Sequence, residues 1–253
     1  MSEAPGIATA AVVGLAVGSF LNVCITRLPA HLNIWRPGSA CPTCEAPIQW
    51  YDNIPVLSFL ALRGRCRACG AEISWQYPVV EIVTAILFAL AYIRFGLSDD
   101  LVVASVLSAA LIVITGIDVK HQIIPDMVTL PGIPLGFLAN LLTARVTWHD
   151  SLLGIVIGGG TFLVIIFASK GGMGGGDMKL GAMLGAFLGW QVTLMSLLIA
   201  VLVGVTVAVT LLATKARGRK DPVPFGPFLA VGGLAGLFWG ERLLEWYLGG
   251  FQH

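Results

Sequence analysis

The chain has 253 residues, of which 57% are hydrophobic and only 11% are charged, and its mean hydropathy is +0.87. Soluble domains carry about 25% charged residues, so the composition excludes an ordinary soluble protein and predicts a polytopic membrane protein. The net charge of +1 gives no indication of a nucleic-acid partner. Residues 1–6 contain Glu3 and no basic residue, so we expect no cleavable signal peptide.

Hydrophobic runs long enough to cross a bilayer recur along the whole chain. A helix needs roughly 20 apolar residues for this, and we predict an all-α membrane bundle of about eight transmembrane helices. The sixth is short and depends on a turn near Trp190 and Gln191. The predicted spans cover residues 7–26, 79–95, 101–118, 127–144, 152–169, 179–190, 192–213 and 225–247.

The Lys and Arg residues predict the orientation of these spans, because cytoplasmic segments carry an excess of basic residues. With both termini outside, only Arg94, Arg145 and Arg242 of the 15 basic residues lie outside. Without the sixth span, the basic run "KARGRKD" (215–221) would also lie outside. We therefore expect both termini outside and the polar segment 28–78 in the cytoplasm.

The segment 28–78 carries two cysteine pairs in the pattern C-x2-C-x21-C-x2-C. Two such pairs close a four-thiolate zinc site with no open position, so we expect a structural metal that stabilises a loop with little core. Two disulfides or four unrelated thiols are the alternatives, and a reducing compartment disfavours disulfides. Cys24, in the first span, is expected to fill apolar space. The predicted ligands are Cys41, Cys44, Cys66 and Cys69.

Two aspartates stand where predicted spans meet the cytoplasmic boundary. Asp118 closes the third span, and Asp177 opens the sixth. Carboxylates at membrane depth usually face protein or water. A close pair shares a proton, so one member can act as a base toward water and the other as an acid toward a carbonyl. The alternative is a helix cap or a solvated boundary residue, and Asp126, after Pro125, has the same ambiguity.

The glycine-rich run "GGMGGG" (171–176) precedes Asp177 directly. We expect this run to stay unwound, because irregular backbone at membrane depth is tolerated where it lines an aqueous cavity. An extended substrate could pair with its backbone as an added strand. Lys179 has two open roles: it could hold nearby carboxylates ionised, or bind lipid phosphate. The candidate substrate residues are therefore Gly174, Gly175, Gly176, Lys179 and Asp126.

Several segments, in family order, resemble the type IV prepilin peptidases, which are bacterial inner-membrane aspartic peptidases. The likeness covers almost the whole chain and implies that Asp118 and Asp177 are the catalytic aspartates of a GxGD peptidase. The segments are "GSFLNVCITRLP" (18–29), "DNIPVLSFLALRGR" (52–65), "YPVVE" (77–81), "DVKHQIIPD" (118–126), "GGGDMKL" (174–180) and "PFGPFLA" (224–230).

The resemblance also implies a reaction and a domain organisation. The family's substrates are prepilins and pseudopilins, with a short basic leader that ends in Gly and a hydrophobic helix that usually begins with Phe. Cleavage falls on the cytoplasmic side, and bifunctional members then methylate the new N-terminus with S-adenosylmethionine. The long cysteine loop resembles those members. We expect a first span at 1–27, a methyltransferase-associated zinc loop at 28–78 and a peptidase core at 79–253.

The methyl donor site is less apparent in the sequence. The strand–GxGxxG–helix unit of a soluble Rossmann-type cofactor fold is absent. Glu81 is a candidate for holding a sulfonium or a substrate amine, and the alternative is a boundary residue paired with a loop arginine. Asn22, Arg27, Asp52 and Asn53 have the same status, with snorkelling as the alternative for Arg27 and turn formation for Asn53.

Four other functions remain open from the sequence alone. A peptidase without methyltransferase activity, or a presenilin-like intramembrane protease, would share the GxGD motif around Asp177. A cation transporter with a four-cysteine regulatory loop is a third possibility, although transporters usually bind near the bilayer midplane. An inactive assembly factor would also be consistent with the motifs.

Overall fold

The computed structural model describes residues 3–36, 38–168, 174–215 and 223–249. Glycines 171–173 and most of the basic run 215–221 therefore lie outside the described residues. The described part is built of helices, with two isolated β-bridges in the cysteine loop, which confirms the predicted all-α class. The helices are α1 (Ala4–Arg27), α2 (Leu57–Ala61), α3 (Gln76–Phe95), α4 (Asp99–His121), α5 (Asp126–Thr143), α6 (Trp148–Ala168), α7 (Gly175–Ala213) and α8 (Gly226–Gly249).

Six of these helices are long and apolar enough to cross a membrane: α1, α3, α4, α5, α6 and α7. The eighth predicted span, 225–247, corresponds to α8. Helix α7 has 39 residues and covers both the sixth and the seventh predicted spans. The correspondence of helices and spans is consistent with a multi-pass membrane protein.

Helix α7 is broken at Gly189, whose φ of 74° and ψ of 168° are not helical. Gly158 of α6 shows that the chain reverses there, because it lies against both Gly181 and Thr193. Those two residues would be about 18 Å apart in a straight helix. The turn predicted near Trp190 is therefore present, one residue earlier than expected, and α7 is two antiparallel segments.

The chain divides into two compact units, Met1–Val113 and Ile114–His253, and α4 runs from one into the other. In the N-terminal unit α1 packs against α3. A Cβ atom on Gly14 would lie 2.6 Å from the Cα of Ala85, and one on Gly18 would lie 2.7 Å from the Cα of Glu81. Small residues at spacing four let helix backbones approach closely in membranes, and the cysteine loop connects these two helices.

The C-terminal unit uses the same device between α6 and α7. Gly154 lies against the backbone of Gly185, and Gly158 lies against the backbone of Gly181, so that two small-xxx-small faces meet. This pairing was not among the predictions from the sequence. Buried Asn140 of α5 adds a polar contact, because its Nδ2 donates to the carbonyl oxygens of Ala186 (2.7 Å) and Phe187 (3.2 Å) just before the break. The first segment of α7 is thereby fixed against both α5 and α6.

Candidate active site and metal-binding cluster

Asp118 lies in the last turn of α4, and only 4% of its surface is exposed. Its Oδ2 accepts a hydrogen bond of 2.8 Å from the backbone N–H of Gly226, the first residue of α8. A Cβ atom on Gly226 would lie 2.6 Å from the same oxygen, so any larger residue would displace the carboxylate. The N-terminus of α8 therefore holds Asp118 through a contact that requires glycine.

Asp177 lies in the first turn of α7 and is 9% exposed. Its backbone N–H donates to the carbonyl oxygen of Gly174 at 3.2 Å, and its carboxylate is close enough to Asp118 for a direct electrostatic interaction. Among the described residues, no basic side chain forms an ion pair with either carboxylate. Both carboxylates are thus buried and interact electrostatically, and a close pair of this kind can share a proton.

The backbone directly before Asp177 is more helical than we expected for the glycine-rich run. Only Gly174 is extended, with φ −76° and ψ 144°, while Gly175 and Gly176 already belong to α7. The helix therefore begins four residues before the predicted start at 179. The reason is packing: a Cβ atom on Gly176 would lie 2.8 Å from the Cβ of Ile124, so glycine permits a close helical approach.

Lys179 and Asp126 form an ion pair, with the Lys179 Nζ 2.6 and 2.7 Å from the two carboxylate oxygens. The pair joins Lys179, the fifth residue of α7, to Asp126, the first residue of α5. The side chain of Asp126 is 53% exposed, in contrast to the buried Asp118 and Asp177. The structure thus brings Asp118 and Asp177 together, and it gives Asp126 a basic partner.

The two cysteine pairs have the same backbone geometry. In the first, the N–H of Cys41 donates to Ala46 (3.0 Å) and the N–H of Glu45 donates to Cys41 (2.9 Å). Equivalent bonds of 2.8 and 2.9 Å join Cys66 to Ala71 and Gly70 to Cys66. The fifth position of each pair, Glu45 or Gly70, has a positive φ of 57° or 72°, which is the sharp turn that a metal knuckle needs to present two sulfurs to one point.

The four sulfur atoms lie within 4.8 Å of one another, and the thiols are free. The Sγ atoms of Cys41 and Cys69 are 3.9 Å apart, close to the edge of about 3.8 Å expected for four sulfurs around one zinc. Disulfide bonds would require sulfurs about 2.05 Å apart. The cluster is therefore one that could bind a metal ion.

The thiols interact strongly in this cluster. Backbone N–H groups of Cys44 and Thr43 lower the pKa of Cys41 to about 6. The pKa of Cys44 rises to about 11: the Ala46 N–H favours its thiolate, but the neighbouring thiols and desolvation outweigh that effect. Four thiolates so close together repel one another, and a divalent cation would remove that repulsion.

The candidate residues near the loop form hydrogen bonds within the N-terminal unit. The Oε2 of Glu81 accepts a bond of 2.7 Å from the N–H of Val56, in place of the loop arginine considered above. Asn22 is buried, and its Nδ2 donates to the carbonyl oxygen of Tyr77 at 3.1 Å. Arg27 donates to the carbonyl oxygens of Asn33 (2.9 Å) and Gly38 (3.3 Å). These bonds connect the loop to the ends of α1 and α3.

Asp52 and Asn53 belong to a single 3-10 turn, Trp50–Asn53. The Nε and Nη2 of Arg67, between two of the cysteines, donate to the Asp52 carboxylate at 2.7–3.1 Å. This hydrogen bonding holds the pKa of Asp52 below its ordinary value. The contact fastens the turn to the second cysteine pair.

Two family models match different parts of the chain. A family model described as "Bacterial Peptidase A24 N-terminal domain" matches residues 12–95, and one described as "Type IV leader peptidase family" matches residues 105–209. The chain belongs to the type IV leader peptidase family. The second model includes both Asp118 and Asp177, and the first includes the four cysteines. No solved structure matches the chain.

Relatives named "Prepilin leader peptidase/N-methyltransferase" match nearly the whole chain. The protein from Bacillus subtilis is 35% identical over 237 residues, which cover 94% of this chain and 96% of the relative. The protein from Aeromonas hydrophila is 38% identical, covering 94% and 92%. That from Pseudomonas aeruginosa is 37% identical, covering 93% and 91%. The similarity therefore extends over both compact units.

Proposed function

We propose that this chain is a membrane aspartic endopeptidase that removes the leader from type IV prepilins and pseudopilins and then N-methylates the new N-terminus. The observation that carries the peptidase assignment is the convergence of two buried carboxylates, Asp118 and Asp177, from separate helices. The relatives' printed names support the substrate class and the second activity.

The proposed hydrolysis uses the shared proton. The ionised member of the pair removes a proton from a water molecule, whose oxygen attacks the scissile carbonyl carbon. The protonated member donates its proton to the carbonyl oxygen. Collapse of the tetrahedral intermediate breaks the C–N bond, and a proton from the pair passes to the leaving amine. The Gly226 N–H keeps the Asp118 carboxylate in place throughout.

The cleavage site after Gly and on the cytoplasmic side follows from the family resemblance, and the distribution of Lys and Arg supports that orientation. Both termini would then face outward, in a bacterial inner or plasma membrane. The substrate's hydrophobic helix would lie in the surrounding lipid, with its leader reaching the carboxylates from the basic side. Gly174, whose backbone is extended, is the remaining candidate for pairing with the substrate strand.

For the second activity, S-adenosylmethionine is the proposed methyl donor. Glu81, Asn22 and Arg27 remain candidates for its site, and Glu81 is the one with a buried carboxylate suited to a cationic group. Zinc is the proposed metal of the four cysteines, where it would have a structural role and hold the loop in the conformation described above. The spacing of the sulfurs supports four-coordinate binding.

Asp177→Asn and Asp118→Asn test the peptidase assignment. Each should reduce cleavage of a prepilin substrate by about 10²-fold or more, because a neutral amide can neither accept nor supply the shared proton. Methylation of a precleaved peptide should survive. Asp126→Asn is the matched control, since this aspartate stands at the same helix boundary but is paired with Lys179, and it should keep most of the activity. Full cleavage by both catalytic-site variants would overturn the proposal.

The methyltransferase assignment is tested with labelled S-adenosylmethionine and mass spectrometry of the product. Wild-type protein should release a peptide cleaved after Gly that carries one additional methyl group. Cleavage without methylation would make the chain a peptidase alone, and it would leave the role of Asp118 and Asp177 intact.

A further inference from the structure

One face of α3 is apolar and exposed along most of its length. Val79, Ile82, Ile86 and Ile93 follow one another at helical spacing and are all exposed, while the opposite face packs on α1. In a multi-pass membrane protein, an exposed apolar stripe of this kind faces lipid. The stripe runs toward the cysteine loop, where the next position at the same spacing is Trp75.

Trp75 continues this stripe beyond the first residue of α3. It precedes Val79 by one helical turn, and 72% of its surface is exposed. Its ring packs on that of Phe59 in α2, with centroids 4.9 Å apart. The stripe on α3 is thus continuous, through one ring contact, with the short helix of the loop.

Helix α2 is itself apolar on the outside. Leu57 and Leu60 stand three residues apart on one face and are 64% and 63% exposed. The helix is fixed in this position, since Glu81 of α3 accepts the N–H of Val56, the residue before α2. The loop exposes other large apolar side chains, among them Trp35 and Trp50, but Leu57 and Leu60 are the pair that continues the stripe on α3 through Phe59 and Trp75. A continuous apolar surface of this kind indicates that something apolar covers it.

Basic side chains follow α2 directly. Arg63 and Arg65 are exposed, and neither forms an ion pair with another residue in the described ranges. An interfacial membrane element typically places leucines at the boundary of the acyl chains, tryptophan at the level of the headgroups and arginines on phosphates.

We propose that α2 and Trp75 lie in the headgroup region of the bilayer, with Leu57 and Leu60 against the acyl chains and Arg63 and Arg65 on anionic phosphates. The cysteine loop would then be anchored to the membrane surface along α2, beyond its two connections to α1 and α3. This placement requires only that α3 lies in the membrane, and it is independent of the proposed enzymatic activities.

The test is quenching of tryptophan fluorescence in the full-length protein, reconstituted without substrate into phosphatidylcholine and phosphatidylglycerol vesicles. Brominated phosphatidylcholine, with bromine near the headgroup or deep in the acyl chain, reports depth, and acrylamide reports exposure to water. The difference between wild type and Trp75→Phe isolates the Trp75 signal. Trp75→Tyr gives the same difference if the first variant does not fold.

Trp50 provides the matched control, because it is 79% exposed in the same loop. Its ring packs on the ring of Tyr51, and the guanidinium of Arg67, which lies between Cys66 and Cys69, stands over that tyrosine ring. We expect shallow bromine to quench at least about half of the Trp75 signal, and acrylamide to quench the Trp50 signal preferentially. Quenching of Trp75 by acrylamide with no effect of bromine would overturn the proposal. Quenching of Trp75 by neither bromine nor acrylamide would identify protein, and not lipid, as the occupant and would overturn it too.

Discussion

The cysteine loop of the N-terminal unit and the helices of the C-terminal unit are held by different kinds of contact. The loop relies on a few polar atoms: two matched cysteine turns, the Asp52–Arg67 pair and the Glu81–Val56 hydrogen bond. The helices rely on glycines, because residues without a side chain let the backbones of α6 and α7 come into contact. An exposed loop has little apolar surface to bury, whereas helices in lipid gain most from close packing.

This difference predicts which substitutions each region tolerates. In the loop, removing one cysteine ligand or one hydrogen-bond donor should disorder the residues around it. Between the helices, adding a single methyl group should disturb packing, and it should disturb catalysis wherever the glycine touches a carboxylate. The two regions can therefore be perturbed separately.

The largest effect is expected from Cys66→Ser. A structural zinc site contributes about 10–16 kcal/mol of binding free energy, so a loop that depends on it should lose its order with the metal. We expect about one zinc per chain in wild type and none in the variant, with rapid proteolysis confined to residues 28–75. Metal analysis and limited proteolysis check this.

Cys24→Ala is the control for that variant, since Cys24 is a buried thiol in α1, outside the cluster. It should retain the metal. A Cys66→Ser protein with full zinc and an unchanged proteolysis pattern would contradict the structural role of the cluster.

The next effect is expected from Gly226→Ala. The new Cβ would lie 2.6 Å from the Oδ2 of Asp118, so the carboxylate must move. A displacement of 1 Å near reacting groups costs about 10²-fold in rate. Prepilin cleavage should therefore fall by about that factor, while zinc content stays unchanged. Gly249→Ala, at the open end of the same helix, should leave cleavage intact, and equal rates for both variants would remove Gly226 from the site.

Gly185→Ala should act on stability. Its methyl group would meet the backbone of Gly154, and overpacking of this kind costs about 1–3 kcal/mol. Thermal melting in detergent should show a lower midpoint. Gly160→Ala, which points into open space on α6, should melt at or slightly above the wild-type temperature because alanine favours the helix. Equal midpoints for the two variants would show that α6 and α7 do not depend on this contact.

The smallest effect concerns the Lys179–Asp126 pair. Both side chains are partly exposed, and such pairs contribute about 0.2–1 kcal/mol, so reversing either charge should lower kcat/KM for cleavage by no more than about five-fold. The double reversal, Asp126→Lys with Lys179→Asp, should recover most of the loss. Additive losses in the double variant would show that the pair does not position the first turn of α7.

Much of this organisation was predictable because it depends on local signals. Hydropathy gave the helices, and the spacing of the cysteines gave one cluster of four. The motifs around Asp118 and Asp177 singled out the two carboxylates that the structure brings together. Their catalytic role and the three-part division of the chain remain predictions.

The contacts that position these groups could not be predicted, since they join distant parts of the chain. Gly226 and Asp118 are 108 residues apart. The segment that contains Gly226, "PFGPFLA" (224–230), was identified only by its resemblance to the family. A transmembrane helix that is apolar all round lacks the amphipathic period that would reveal its packing face. The glycines at 154, 158, 181 and 185 carried the available signal, because small residues at spacing four are typical of contacts between membrane helices.

The break at Gly189 has a consequence for the depth of the first segment of α7 in the membrane. From Gly175 to the break, α7 has only fourteen residues, a rise of about 21 Å against a hydrocarbon thickness of about 30 Å. Residues 180–189 are buried against the neighbouring helices, so this difference of about 9 Å falls inside the protein and at least one end of the segment is recessed below the headgroups. A recessed end at Asp177 would keep the carboxylate away from bulk water, so that water would reach it only through the protein.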